Sequence, residues 1–352
     1  MCIRDSVGSA GQDRGVIDRV ERFDRTTAAD AGIAAGLTVV ICTYQRPEST
    51  IRVLNSIAGQ SRLPDATMII DASLDARTAD AITEWRSANL RQPIQYWRVD
   101  GTHRGLTRQR NFALDRVRTD LVAFFDDDVV LAPHCLVEME RAHRSAPGVV
   151  GVGCFAGPEV ASPKALWRLR RRLRVVPALQ AGKYYRSGMS IPWELDPRRE
   201  PAVEGDWLPG WGMMWQTVAA RAVRFNDGFA GYAQGEDLDF SLRMARHGKL
   251  IMARAAELRH LPDDAGRPDA GRLGYMEIYN RYQIHRRSRG DRGPLDVVWF
   301  TYAWGVDTLM LCRHLVRPAR AGTALLQIGG RFRAVRDLVK EAVRNSQPSL
   351  DR

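Results

Sequence analysis

Cysteine is scarce in this chain: five occur among 352 residues, Cys2, Cys42, Cys135, Cys154 and Cys312, and no two stand at a metal-ligand or paired spacing. An odd, scattered set excludes a disulfide framework and suits a reducing compartment. Long uninterrupted apolar runs are also missing. Residues 1–36, rich in Asp, Arg, Gly and Ala, lack the continuous stretch of a secretory signal and read as a disordered leader, whose opening MCIRDS fits no element. No glycine fingerprint follows the first strand-like run, which argues against a nicotinamide or flavin dinucleotide site.

What is present is a globular composition, 45% hydrophobic, enough for one large α/β domain with an extension or for two modest domains. Apolar runs of strand length recur at 37–44, 66–73, 93–100, 121–128 and 149–155. Helical patterns fall between them, with Ile51, Leu54, Ile57 and Ala58 on one face and further stretches at 77–89, 106–117 and 134–144. This alternation predicts a mostly parallel sheet with helices on both faces, whose ligands bind beyond the carboxyl ends of the strands. The polar strand ends are Thr43-Tyr44, Asp71-Ala72-Ser73, Asp100-Gly101 and Asp126-Asp127-Asp128.

The last of these is the most informative. LVAFFDDDVV delivers three carboxylates where an apolar strand meets a loop. Aspartates also favour solvated turns, but a carboxylate cluster at a strand end suits Mg²⁺ or Mn²⁺ and, through it, a diphosphate. A second acidic cluster, Glu236-Asp237, opens a helical pattern in which Leu238, Leu242 and Ala245 share the apolar face and Gly248 marks a stop. Helix capping explains that pair equally well from position alone. Upstream, Trp207, Trp211 and Trp215 repeat every four residues, but Pro209, Gly210 and Gly212 argue against a helix and for a loop.

Charge is unevenly placed. Of the formal +11, the residues from Arg281 onward carry +8, with fourteen Lys+Arg against six Asp+Glu. A second basic stretch at 167–176 sets Leu166, Leu169, Leu173 and Val176 at helical spacing among arginines, and reads either as a solvated amphipathic helix or as a surface for anionic lipid or substrate.

Taken in order, CTYQRP, IIDAS, GLTRQRN, FFDDDV, LPGWGMMW and GEDLDFSLRMARHG resemble glycosyltransferase family 2, over about Leu37 to Pro262. The resemblance implies an α/β GT-A fold, a Rossmann-like nucleotide-sugar transferase architecture with a mostly parallel central sheet. Its catalytic domain would occupy 37–265, split into a nucleotide-binding half at 37–130 and an acceptor and catalytic half at 131–265. By the same resemblance the enzyme would be an inverting, metal-dependent glycosyltransferase. It would take a nucleotide-diphosphate sugar donor and a glycan or lipid-linked acceptor, in cell-envelope polysaccharide or glycolipid synthesis. Thr43 and Tyr44 would grip base and ribose, Asp71 would meet the base, Arg110 would sit beside the nucleotide with Asn111, and Asp126 and Asp127 would complete that side. Asp128, with Asp126 and His260, would hold Mn²⁺ or Mg²⁺. Asp237, beside Glu236, would be the general base, while Trp207, Gly210 and Trp211 would line the acceptor side. His103 and Arg104 are possible diphosphate neighbours only. The segment Gln283 to Arg287 departs from the glutamine-arginine-tryptophan signature of processive synthases, since Arg287 stands where tryptophan would be, and implies one addition per encounter.

Residues 275–352 form a basic, helical C-terminal extension. Within it, 295–316 is long enough to span a bilayer but contains Asp296, Asp307, Arg313 and His314. At about 100° per residue, Asp296, Asp307 and His314 share a narrow polar stripe, and a mid-bilayer aspartate costs about 2.5–3.5 kcal/mol. These features predict peripheral attachment to an anionic membrane surface, at the cytoplasmic face, rather than a span. Nucleic acid is not an expected partner, because charge gathers beside an apolar helix and not on a face with stacking aromatics. Two alternatives remain: a metal-dependent nucleotidyltransferase, which would transfer the nucleotide itself, and a non-catalytic nucleic-acid-binding protein.

Overall fold

The computed structural model describes residues 32–89, 93–156, 164–195, 200–229, 231–262, 268–289 and 293–346. Most of the expected leader lies outside them. The first strand begins three residues before the expected boundary, at Ala34.

The sheet grows from β1 (Ala34–Thr43), whose last seven residues are all buried. Its side chains alternate between two cores, as strand geometry requires: Leu37, Val39 and Ile41 enter one cluster, Val40 and Cys42 the other. The chain continues through α1 (Pro47–Ala58), β2 (Ala66–Asp71), α2 (Arg77–Ala88) and β3 (Ile94–Arg98) along one side of β1. Pro47 stands in the first turn of α1, where its fixed φ favours the helix and its missing N–H costs nothing. After α3 (Leu106–Leu114), the chain returns to the other side of β1 as β4 (Thr119–Asp126), parallel to it. The reversal of strand order between β1 and β4 opens a crevice at their carboxyl ends, the usual ligand position in such sheets.

The second half supplies β5 (Val129–Leu131), α4 (Cys135–Arg144), β6 (Val149–Ala156), α5 (Lys164–Arg172), β7 (Ala202–Gly205) and β8 (Gly212–Gln216). It closes with α6 (Thr217–Val223), α7 (Glu236–Met244) and β9 (Lys249–His260). The strand order is β3-β2-β1-β4-β8-β6-β9-β5, with β7 on β9. Strands β1, β2, β3, β4, β6 and β9 run one way and β5, β7 and β8 the other, so the sheet is mostly parallel.

The loop expected through 207–215 ends earlier than that. Residues 212–216 are β8, inserted antiparallel between β4 and β6. Trp215 is fully buried there, its ring lying where a Cβ on Gly151 would sit, with Phe240 edge-on at 5.0 Å. A five-residue strand flanked by Pro and Gly carries too little pattern to separate from a loop.

Three C-terminal helices complete the chain: α8 (Ala270–Arg289), α9 (Pro294–Leu311) and α10 (Pro318–Ser346). They cover Trp167, Val175, Val176, Met189 and Ile191 with Ile278, Phe300, Ala303, Trp304 and Ala334, making a third core. α8 and α10 cross with backbones nearly touching, for a Cβ on Gly330 would lie 1.9 Å from the Gly271 carbonyl oxygen. Among the described residues no helix is long and apolar enough to cross a membrane.

The acids of the polar stripe of α9 face the body of the protein. Asp296 is buried and accepts a hydrogen bond from Arg186. Asp307 accepts from Arg170 Nε at 2.9 Å and from Arg331 at 3.3 Å. The reason is electrostatic: arginines of the body and of α10 offer these carboxylates partners close at hand.

Candidate active site

A cleft of about 650 Å³ lies at the carboxyl ends of β1 and β4. Its floor is acidic. Asp126 ends β4, and Asp127 and Asp128 follow in the turn into β5. β5 pairs with the end of β9 so that Val129 stands opposite His260, and the Leu261 amide donates to the Asp128 carbonyl at 2.8 Å. This register carries the imidazole to the triplet, with His260 Nε2 3.1 Å from Asp128 Oδ1. One ligand atom each from Asp126, Asp128 and His260 lies within 4.8 Å of the others. Two carboxylates and an imidazole suit Mn²⁺ or Mg²⁺, so these residues fit the divalent ion that the sequence implies.

Asp127 points elsewhere. It accepts from the Thr43 hydroxyl at 2.8 Å and from Arg46 Nη1 at 2.9 Å, and Arg46 also lies 3.7 Å from Asp128. Burial raises the Asp127 carboxyl, against the pull of Arg46 and the Thr43 hydrogen bond. Arg46 lies in CTYQRP, the motif that already contained Thr43 and Tyr44, so its place in the cleft had a signal in the sequence.

The opposite wall is the start of α7. Glu236 is buried, with Oε1 accepting from Arg110 at 2.5 Å and Oε2 unpartnered among the described residues. Burial pushes its carboxyl up to about 8, with Asp237 adding to the effect and Arg110 opposing it. Asp237 is half-buried and lines the cleft, where Oδ2 accepts from the Gly210 amide at 3.0 Å and Oδ1 from the Leu238 amide at 2.8 Å. A Cβ on Gly210 would stand 3.1 Å from Glu236 Oε1, so this approach suits glycine.

Arg110, expected beside the nucleotide, is 1% exposed and is not among the residues that line the cleft. It binds Glu236, Asp126 Oδ1 at 3.2 Å and the Gly210 carbonyl at 3.2 Å, tying three segments together. Burial opposes its charge, and Glu236 and Asp126 more than offset that. Burial also raises the Asp126 carboxyl; Arg110 opposes this, and Asp128 and Asp127 add to it. Asp71 is fully buried, receiving the Ser73 amide and the Tyr96 hydroxyl, each at 2.8 Å, and is likewise off the cleft wall. Asn111 braces the 225–227 segment through Phe225 and Asp227.

Of the expected acceptor residues, Gly210 and Trp211 line the cleft, the indole lying 5.9 Å from His260, while Trp207 packs into the hydrophobic clusters. Arg104 reaches the cleft and His103 does not. Arg272, at the start of α8, and Tyr232 and Gln234 also line it. No motif marked these three, because they lie on a long connection and on the extension.

The mostly parallel sheet with its switch-point crevice is an α/β fold of the GT-A kind. Residues 38–186 match the model described as glycosyl transferase family 2, and the chain, which carries this domain, is a glycosyltransferase. No curated protein matches it. Among solved structures, it is similar to the mannosyltransferase PcManGT from Pyrobaculum calidifontis in complex with GDP-Man and Mn²⁺. That match has 17% identity and a TM-score of 0.52, covering 89% of this chain and 81% of that one. S. aureus TarS 1-349 in complex with UDP-GlcNAc aligns at 14% identity and TM-score 0.48, covering 86% and 92%.

Proposed function

We propose that the chain transfers a sugar from a nucleotide-diphosphate donor to a hydroxyl of a glycan or lipid-linked acceptor of the cell envelope, with inversion at the anomeric carbon. Asp126, Asp128 and His260 would hold Mn²⁺ or Mg²⁺, whose contribution is to neutralise charge on the departing diphosphate. Thr43 and Tyr44 lie at the end of β1 for the nucleoside, and Gly210 and Trp211 lie across the cleft for the acceptor. Asp237 is the general base. The acceptor oxygen attacks the anomeric carbon as the bond to the diphosphate breaks, and the hydroxyl proton passes to the Asp237 carboxylate.

The observation that carries this reading is the charge imbalance of the cleft. Asp126, Asp127, Asp128, Glu236 and Asp237 converge, and among the described residues Arg46 and Arg110 pair with four of these carboxylates, His260 meets Asp128, and Arg104 and Arg272 line the same cleft. A divalent cation corrects that excess, and a diphosphate completes it. The choice between the two acids follows from their surroundings. Both line the cleft, but Glu236 is buried and held by Arg110, whereas Asp237 is half-buried with its orientation fixed by two amides.

Thermal stabilisation by UDP, GDP and dTDP, with and without Mn²⁺, tests the donor site. A shift for one nucleotide that requires Mn²⁺ and vanishes in Asp128→Ala is expected; no shift for any of them overturns the assignment. Asp237→Asn is expected to retain that shift while losing about 10² to 10⁴ in transfer rate. Free nucleoside diphosphate as product separates glycosyl from nucleotidyl transfer.

A further inference from the structure

We propose that the outer face of α9, with the adjoining end of α5, docks on the surface of an anionic lipid bilayer. The surface does not depend on the transfer reaction and lies apart from the cleft.

The inner face of α9 is occupied by the third core, through Phe300, Ala303 and Trp304. Its outer face carries Leu295, Val298, Tyr302 and Leu309 at helical spacing, and Leu295, Val298 and Leu309 are 62, 61 and 72% exposed. Exposed side chains of this size in one row are not the usual surface of a soluble monomer. Trp299 and Tyr302 are exposed beside them, and aromatic rings with a polar edge suit the headgroup boundary. The Tyr302 hydroxyl donates to the Leu173 carbonyl at 2.7 Å, which sets the half-exposed Leu169 and Leu173 of the α5 region along the same helix.

The electrostatics select the partner. Asp296 and Asp307 are the only carboxylates between Gly293 and Arg336, and both turn inward to arginines. The outer face therefore carries no negative charge. Arg171, Arg172 and Arg174 are exposed at the end of α5, and Arg313, Arg317 and Arg320 follow α9, also exposed or nearly so. An apolar ridge rimmed by arginines complements a bilayer bearing anionic headgroups. A second copy fits less well, since two-fold pairing would bring two arginine rims together. The helix lies on such a surface and does not cross it, in keeping with its length and hydropathy.

Co-sedimentation of the full chain with vesicles of phosphatidylcholine, alone or mixed with phosphatidylglycerol, tests the proposal. Binding only to the mixed vesicles, weakened by salt, is expected. Val298→Glu combined with Leu309→Glu should weaken it at least about tenfold, with unfolding temperature and far-ultraviolet circular dichroism unchanged, because both side chains are already exposed. Arg171→Gln with Arg172→Gln and Arg174→Gln should reduce it independently of any apolar change. Three outcomes overturn the idea: no sedimentation of the wild type with mixed vesicles, undiminished binding by both variants, or a dimer in solution that the glutamate variant dissociates.

Discussion

Arg110 and Glu236 show how one buried pair can organise a site. The guanidinium is shared between Glu236 and Asp126, so a single positive charge serves two carboxylates in a region already rich in acid. Raised from an ordinary 4.5 to about 8, Glu236 binds a proton in the folded state that the unfolded chain releases. Its contribution to stability is complete below the ordinary value and is lost as pH rises through about 8. The metal-free protein is accordingly expected to unfold at lower temperature as pH goes from 6 to 9, and Glu236→Gln to flatten that decline; a wild-type curve that rises over this range would contradict it. Arg110 was legible in the sequence as important, for a motif contained it. Its task was not: a sequence motif fixes the residue type, whereas the side chain's direction depends on which neighbours α7 and the Gly210 loop bring to it. Asp71 is the same case, since Ser73 within its motif and Tyr96 outside it take up its oxygens.

At the scale of elements, the first half of the sheet could be read directly, because strands buried on both faces are continuous apolar runs and their helices repeat at 3.6 residues. β8 and the α8–α10 crossing could not. The crossing rests on Gly271, Gly274 and Gly330, whose small size matters only once two helices distant in sequence meet. Gly330→Ala is expected to drive a methyl group into the Gly271 backbone and destabilise the protein by about 1–3 kcal/mol, read by urea unfolding and by faster proteolysis within α10. Gly305→Ala, in α9 with no atom within 4 Å of its Cβ position, is the matching control and should be neutral or stabilising by up to about 1 kcal/mol.

For the whole molecule, the extension is structural before it is anything else. α8, α9 and α10 supply half of the third core, and the other half comes from residues 167–191 of the transferase body. A chain ending at Arg289 would uncover Trp167, Val176 and Ile191, and is expected to bind a hydrophobic dye and to unfold at lower temperature than the full chain. Unchanged stability would mean that the third core contributes little. α8 also lends Arg272 to the cleft, so loss of its packing should reach the site.

The sequence by itself determined the chemistry available: three aspartates at a strand end, an acidic pair at a helix start, a histidine beyond it, and the α/β rhythm that sends strand ends to one edge. It did so because those signals are local, written in residue type and in periods of two and 3.6. Tertiary structure alone decided which of those groups face the cleft, that Arg272 joins them, and that the acids of α9 turn inward while its apolar side turns out. Those outcomes depend on partners far apart in the chain, and on the cost of burying a charge without one, which no short stretch of sequence records.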